Sequence, residues 1–289
     1  MDSYFLTRLY RDTSPPLREE VEFWRDERLS GMECMTASFL THRFAPHAHE
    51  HFGIGAMEMG RKRATIRGCR DVAGPGDLYL INPEEMHDAA VDTGGCRYRM
   101  IYPSVSLARS ILNDAGEQCF SGTPFFAKQL LSDPGLAMAF LQTHRQLQAG
   151  VSDLEAGERM FSLLTMIFRR HGQSGVEVRP YRDHRAARRL RDYLDAHFAE
   201  EVSLEALAAS VDLSRAHMIR AFRACWNITP HAYQTHLRVR QAKKLMGEGR
   251  EIAEVAFLCG FADQAHLTRQ FKTRTGLTPG QYRRAVLVI

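Results

Sequence analysis

An internal repeat near the carboxy end constrains this chain more than any other feature. Displacing the sequence by 49 positions aligns Ala216 with Ala265, His217 with His266, Arg220 with Arg269, Phe222 with Phe271, Thr229 with Thr278, Pro230 with Pro279 and Tyr233 with Tyr282, seven identities. Arg223 with Lys272 and Ile228 with Leu277 preserve character. Upstream the displacement is 48, pairing Leu204 with Ile252 and Leu207 with Val255, so the second copy carries one extra residue around Gly260. Self-similarity of this kind marks one supersecondary unit used twice. Each copy reads as a short helix, a turn and a longer helix. In the first, Ser203 caps the opening helix, Val211 to Leu213 turn the chain, and Ser214 caps the next helix.

The longer helix of each unit has an inner and an outer face. Met218 and Phe222, four apart, face a core, and so do Leu267 and Phe271. That leaves Arg215, Ala216, Ile219 and Arg220 outward in the first copy, and Gln264, Ala265, Thr268 and Arg269 in the second. Arg pairs with guanine and Gln with adenine through two hydrogen bonds, while Ala and Ile touch a thymine methyl, so these eight are candidate base readers of double-stranded DNA. Pro230 to Met246 reads as one long helix joining the copies. It would set the two reading heads about 34 Å apart, one turn of duplex, on successive major-groove segments.

Charge follows the same division. Residues 179–289 hold 19 Lys plus Arg against 11 Asp plus Glu, and residues 1–178 hold 19 against 23, so the net charge of +4 hides a basic second half. Localised positive charge suits a phosphate-binding surface. With 44% hydrophobic and 25% charged residues the composition is that of a soluble globular protein. No apolar run reaches the length of a membrane span and the first residues do not read as a signal peptide, so the expected location is the cytoplasm, with no membrane partner. Cys34, Cys69, Cys96, Cys119, Cys225 and Cys259 form no Cys-x-x-Cys pair and read as isolated thiols.

Residues 184–286 resemble the AraC/XylS family of transcription regulators. The second-unit signature stands here as Ile252-Ala253-Glu254-Val255-Ala256, Gly260-Phe261-Ala262-Asp263, Arg269-Gln270-Phe271-Lys272 and Gly276-Leu277-Thr278-Pro279-Gly280-Gln281-Tyr282-Arg283. The resemblance implies a DNA-binding domain of seven helices, with the outward residues named above as groove contacts. The chain departs from many relatives in placing Ala216 and Ile219 where they carry larger or polar residues, which shifts weight to Arg215 and Arg220.

The first half alternates short apolar stretches with Gly, Pro and Asn: Cys34 to Phe39, Gly53 to Met59, Ala64 to Arg67, Asp77 to Ile81 and Arg97 to Tyr102 read as strands. Helical spacing takes over from Phe125 to His171, and residues 172–183 lose it and read as a linker. Pro46-His47-Ala48-His49-Glu50 and the run from Pro75 to Pro83, with His87 beyond, resemble the cupin-like sensor domain often attached in this family. The expected fold is therefore α+β and multidomain. A cupin-like β-barrel at about 30–105 and a helical segment at 125–171 form a sensor region at 1–178. An all-α domain with two helix-turn-helix units follows at 179–289.

In a strand, His47 and His49 share a face, and a small barrel can bring His87 beside them. Three imidazoles suit zinc, nickel or iron. The metal-binding cupin pattern, however, has a Glu four or five places after the second His, where this chain has Gly53 and Ile54. A second reading makes the same histidines, with Arg43, Glu58 and Tyr79, hydrogen-bonding partners of a small organic effector, and the missing carboxylate favours it. In a third they are ordinary surface and turn residues. Arg61, Lys62, Arg63 and Arg67 read as a solvated hairpin face, one of which an acidic effector could use.

The function implied is an effector-responsive activator of transcription, not an enzyme. A metal-dependent cupin enzyme with a DNA-binding appendage and a metal-sensing regulator are the alternatives. The helices of 125–171, with Leu154, Phe161, Leu164 and Phe168 as an apolar stripe, are the expected homodimer interface, or else only a cover for the barrel. RNA polymerase is a further expected partner.

Overall fold

The computed structural model describes residues 17–114, 124–173 and 184–287. Seven strands come first: β1 (Glu20–Asp26), β2 (Met32–Phe39), β3 (Arg43–His47), β4 (Gly53–Ile66), β5 (Cys69–Ala73), β6 (Asp77–Ile81) and β7 (His87–Tyr102). Helix α1 (Val105–Asp114), strands β8 (Phe125–Phe126) and β9 (Leu130–Ser132), helices α2 (Pro134–Ala149) and α3 (Asp153–His171), and strand β10 (Gly172–Gln173) follow. The antiparallel sheet runs β1-β2-β7-β4-β6-β9, with β3 added on β7 and β5 on β4. It thus takes in β1 and β9, outside the span read as strands.

Strands β4 and β7 are long enough to serve two partners each. Gly53 to Ala56 pair with β6 and Lys62 to Ile66 with β5, while Cys96 to Tyr102 pair with β2 and the start of β7 pairs with β3. Their mutual register slips between Met57 and Met59 and again between Gly60 and Lys62. Such bulges bend a strand and raise its twist, which rolls the sheet. Gly60 sits there at φ +69°, where a Cβ would lie 2.0 Å from the Gly95 carbonyl oxygen.

The two faces of the rolled sheet follow the period of two. Cys34, Ile54, Ala56, Leu78, Leu80 and Ile101 point outward to α1, α2 and α3 and join Phe140, Leu164 and Phe168 in one core. Their neighbours Met35, Ala37, Met57, Tyr79, Ile81, Tyr98 and Met100 line the inside of the roll. Leu164 and Phe168 of the apolar stripe are therefore fully buried under the sheet, and Phe161 is partly buried against the same core. The side chain of Leu154 lies outside the described residues.

Seven helices follow among the described residues: α4 (His184–Ala196), α5 (Leu204–Ala209), α6 (Arg215–Trp226), α7 (Pro230–Gly247), α8 (Ile252–Leu258), α9 (Gln264–Thr275) and α10 (Pro279–Leu287). Side-chain caps start α5, α6, α7 and α9: Ser203, Ser214, Thr229 and Asp263 each accept from the backbone N–H three residues on. Leu190, Leu194, Leu207, Met218 and Phe222 form the core of the first unit, and Val255, Leu267, Phe271 and Tyr282 that of the second. The left-handed turn residue is Asp212 in the first copy, two before its cap, and Gly260 in the second, three before. The extra residue of the second copy therefore lies between Gly260 and Asp263. A Cβ at Gly260 would meet the Ala199 carbonyl oxygen at 2.0 Å. The boundary expected near residue 178 lies outside the described residues.

Candidate functional site: reading helices and an interdomain cavity

On α6, Arg215 and Arg220 are exposed, and Met218 and Phe222 beneath them are fully buried. Arg215 donates to Glu205 of α5 at 2.6 Å across the surface. Ile219, expected to face outward, is half-buried and packs against the core of the first unit, because it stands beside Met218 on the helix circumference. The side chain of Ala216 lies outside the described residues. On α9, Gln264, Ala265 and Arg269 are exposed. Thr268 is half-buried, and its hydroxyl donates to the Gln264 carbonyl oxygen at 2.8 Å.

The helix that joins the two units also meets the sensor. A cavity of about 550 Å³ opens between the rolled sheet and the helical domain. The sheet supplies Phe44, His47, Lys62, Tyr79, His87, Tyr98 and Tyr102, and the segment between β3 and β4 supplies His49, which lies beyond the end of the strand that carries His47; α7 supplies His236, Val239, Arg240 and Lys243, α9 supplies Arg274, and α10 supplies Tyr282. Polar bonds cross the seam beside it. Lys243 lies 3.1 Å from Glu33 of β2, and the same carboxylate accepts from the Tyr282 hydroxyl at 3.1 Å. Burial, the largest single influence, acts to raise the Glu33 carboxyl, but Lys243, Arg25 and the Tyr282 hydroxyl together hold the group below its ordinary value. Arg240 lies 3.4 Å from both Glu50 and Glu84. The Ala48 N–H points to His236 Nδ1 at 3.5 Å.

Inside the cavity the three expected histidines come together. Ring centroids of His47 and His87 are 4.3 Å apart, and His49 is 5.0 Å from each. One ligand atom from each lies within 4.8 Å of the others. Nδ1 of His47 faces the Ala45 carbonyl oxygen at 2.8 Å, and Nδ1 of His87 faces that of Glu85 at 2.8 Å. A carbonyl oxygen only accepts, so both Nδ1 atoms carry the proton and both Nε2 atoms keep a lone pair. Burial pushes His47 and His49 well below the ordinary imidazole value and His87 down to about 4, so all three are neutral at neutral pH. Neutral rings whose far nitrogen is held by a carbonyl fit a transition metal in chemistry. A tetrahedral site needs ligand nitrogens about 3.3 Å apart, so the trio would have to close by rotamer changes. Gly53, where the metal-binding pattern has a carboxylate, is near enough for a Cβ to sit 3.6 Å from the His49 ring. The donor set is three imidazoles and no carboxylate.

Tyr79 lines the cavity with its hydroxyl buried and without a hydrogen-bond partner. Two expected effector residues are corrected by strand parity. Arg43 is exposed, pointing away from the interior that its neighbour Phe44 faces. Glu58 shares the outward face of Ile54 and Ala56, where it bonds Arg99 at 2.7 Å and Arg145 at 2.8 Å beneath α2. Neither lines the cavity. Lys62, read from the sequence as part of a solvated basic run of which an acidic effector could use one member, lines it, and so do His236, Lys243, Arg274 and Tyr282, which the sequence reading did not place at this site. Only Lys62 left a local signal, since it alternates in step with Ala64 and Ile66 while Arg61 and Arg63 take the exposed face.

Comparison with known proteins agrees with both halves. The AraC-like ligand binding domain matches residues 29–164 and a helix-turn-helix domain matches residues 207–285. The HTH-type transcriptional regulator YbfI of Bacillus subtilis is 27% identical over 227 residues, covering 78% of this chain and 82% of that one. The probable transcriptional regulator LumQ of Photobacterium leiognathi is 29% identical over 256 residues, covering 87% and 98%. The HTH-type transcriptional activator RhaS of Escherichia coli is 27% identical over 253 residues, covering 83% and 87%. A crystal structure of an apo ToxT variant from Vibrio cholerae shares the fold, with a TM-score of 0.52 at 10% identity, covering 96% of this chain and all of that one. A sheet-rich ligand-binding domain, a carboxy-terminal pair of helix-turn-helix units and relatives of this kind assign the chain to the AraC family of transcription regulators.

Proposed function

We propose that this regulator reads a two-part DNA site with α6 and α9, and that a small molecule in the cavity at the seam controls how firmly it does so. One observation supports this reading above the others: α7 both joins the two helix-turn-helix units and walls the cavity. A ligand that fills the cavity differently in two arrangements of sensor and helical domain biases their equilibrium by its difference in affinity. Arg215, Arg220, Gln264, Ala265, Thr268 and Arg269 are the proposed groove contacts, and His47, His49, His87 and Tyr79 the proposed effector contacts. The protein acts as an activator in the cytoplasm rather than as an enzyme, engages RNA polymerase, and dimerises through the outer side of α2 and α3, where Met138 and Met166 are exposed.

Selection of bound sequences from random DNA at near-physiological salt tests the reading. An enriched two-part site is expected, with Arg220→Ala and Arg269→Ala each relaxing a different part by about 1–3 kcal/mol of discrimination. Absence of any enriched sequence would sink it.

A second reading is favoured by the imidazole trio alone. Nδ1 of His47 and of His87 is already held by a carbonyl, which orients two of three neutral donors for zinc, nickel or iron. In that case the metal would supply Lewis acidity or a structural anchor, and the open coordination positions would meet the effector.

A further inference from the structure

The charge in the cavity is unbalanced in a specific way. Lys243 and Arg25 share Glu33, and Arg240 faces Glu50 and Glu84, so these cations have carboxylates. Lys62 and Arg274 have none among the described residues. Lys62 on β4 is 7% exposed, with its ammonium 3.8 Å from the Tyr98 ring centroid, 4.8 Å from that of Tyr79 and 5.3 Å from that of Phe44. The rings attract it through their faces but offer no acceptor for its three N–H groups, so the hydration it lost is only partly replaced. Burial accordingly pushes Lys62 down to about 8. The hydroxyl of Tyr79, whose ring is one of the three, is buried without a partner.

Arg274 stands on the other wall, in the last turn of the second reading helix α9, and is 5% exposed. Its Nη1 donates to the Gln270 carbonyl oxygen at 3.3 Å and to Gln270 Oε1 at 2.5 Å, while its Nε is buried without a partner. A neutral ligand would leave both cations as they are. A metal cation at the histidines would add to the excess. An anion removes it, and gains from counter-charges on the cavity walls that are already desolvated.

We propose that the cavity takes a small organic anion, an acid group on an apolar body, with Lys62 as the principal counter-ion, the Tyr79 hydroxyl as a donor and Arg274 as the anchor on the reading helix. This rests on the reading of the cavity as the effector site and adds its chemical class. The body of the ligand lies against Phe44 and Tyr98, two of the rings around the ammonium, and against Met100 of the same cavity lining. Because Arg274 belongs to α9, the acid group acts on the same helix that carries Gln264 and Arg269.

The experiment uses the full chain and pairs of probes that differ only in charge: benzoate against benzamide, 3-phenylpropionate against its amide, and octanoate against octanamide. Titration calorimetry is expected to give at least one acid bound tenfold or more tightly than its amide, with the preference shrinking as salt rises. Lys62→Met is expected to abolish the preference, and Arg274→Gln to reduce it. The unliganded Lys62→Met protein is expected to melt no lower than wild type, because an uncompensated buried charge has been removed. Equal affinity for acids and amides, or a preference that survives Lys62→Met, overturns the proposal. Amides that bind the cavity and alter DNA affinity would remove the anion while leaving the effector reading intact. If no probe of either kind binds or changes DNA affinity, both readings fall. The acid-to-amide ratio of the wild type decides the matter even if a variant does not fold.

Discussion

Lys243 of α7 holds its ammonium 3.1 Å from the carboxylate of Glu33 on β2, 210 residues away in sequence. That carboxylate, 12% exposed, also accepts from Tyr282 of α10, so one sensor side chain receives two groups of the DNA-binding domain. Replacing it by Gln leaves the ammonium facing a neutral amide in a desolvated seam. Glu33→Gln is expected to weaken the docking of the two domains by about 1–3 kcal/mol, read by chemical denaturation and by faster proteolysis at the seam. Combining it with Lys243→Met is expected to restore part of the loss, a coupling that a double-mutant cycle measures. Additive effects of the two changes would show that the pair does not act as a unit.

The caps of the reading helices offer a test of each head separately. Asp263 accepts from the His266 N–H at 2.5 Å, and Ser214 from the His217 N–H at 3.3 Å. Asp263→Ala and Ser214→Ala are each expected to cost about 1 kcal/mol of helix stability. In footprints on a two-part site, each change is expected to weaken protection of one part only. Equal loss over both parts would argue against independent heads.

Stability is expected to fall on mild acidification. Burial, assisted by Arg99, pushes His144 down to about 3, and its ring accepts from Arg99 Nη1 at 3.0 Å while Nε2 faces the Met100 carbonyl at 3.2 Å. Unfolded, the same group titrates near 6.5, so between about 6.5 and 3 the unfolded chain binds the extra proton. The contribution is complete above pH 6.5 and declines as pH falls, by about 1.4 kcal/mol per pH unit for one such group. Urea denaturation at pH 7 and pH 5 is expected to give a smaller difference for His144→Gln than for wild type. An unchanged difference would mean that His144 is not held neutral.

For the metal reading, protein prepared without chelator or affinity tag is expected to hold close to one equivalent of zinc, nickel or iron, and His87→Ala to lose it. Elemental analysis reads the content directly. Metal-free protein that takes up no zinc on titration leaves the trio as hydrogen-bonding groups for an organic ligand.

Much of this architecture is local and therefore legible in the chain itself. The repeat, its caps at Ser203 and Ser214, and the helix from Pro230 depend on neighbours within a turn or two, and the structure has them where the periodicity puts them. Strand parity also carries information that the sequence reading did not use: Glu58 falls in step with Ile54 and Ala56, and Lys62 with Ala64 and Ile66. Reading the basic run as one solvated face overlooked that alternate residues of a strand point to opposite sides.

What the chain alone determined is the kind of unit at each end: two helix-turn-helix copies after a small sheet domain that carries the candidate trio His47, His49 and His87. What only the tertiary structure decided is which side chains share a cavity. Lys62, His87, His236 and Arg274 come from four separate elements. Their meeting depends on the roll of the sheet at the β4 bulges and on the docking of α7 and α9 over its open side. Hydrophobic periodicity records that an element has a buried face, but not which distant element covers it. The chemistry of the seam belongs to that pairing.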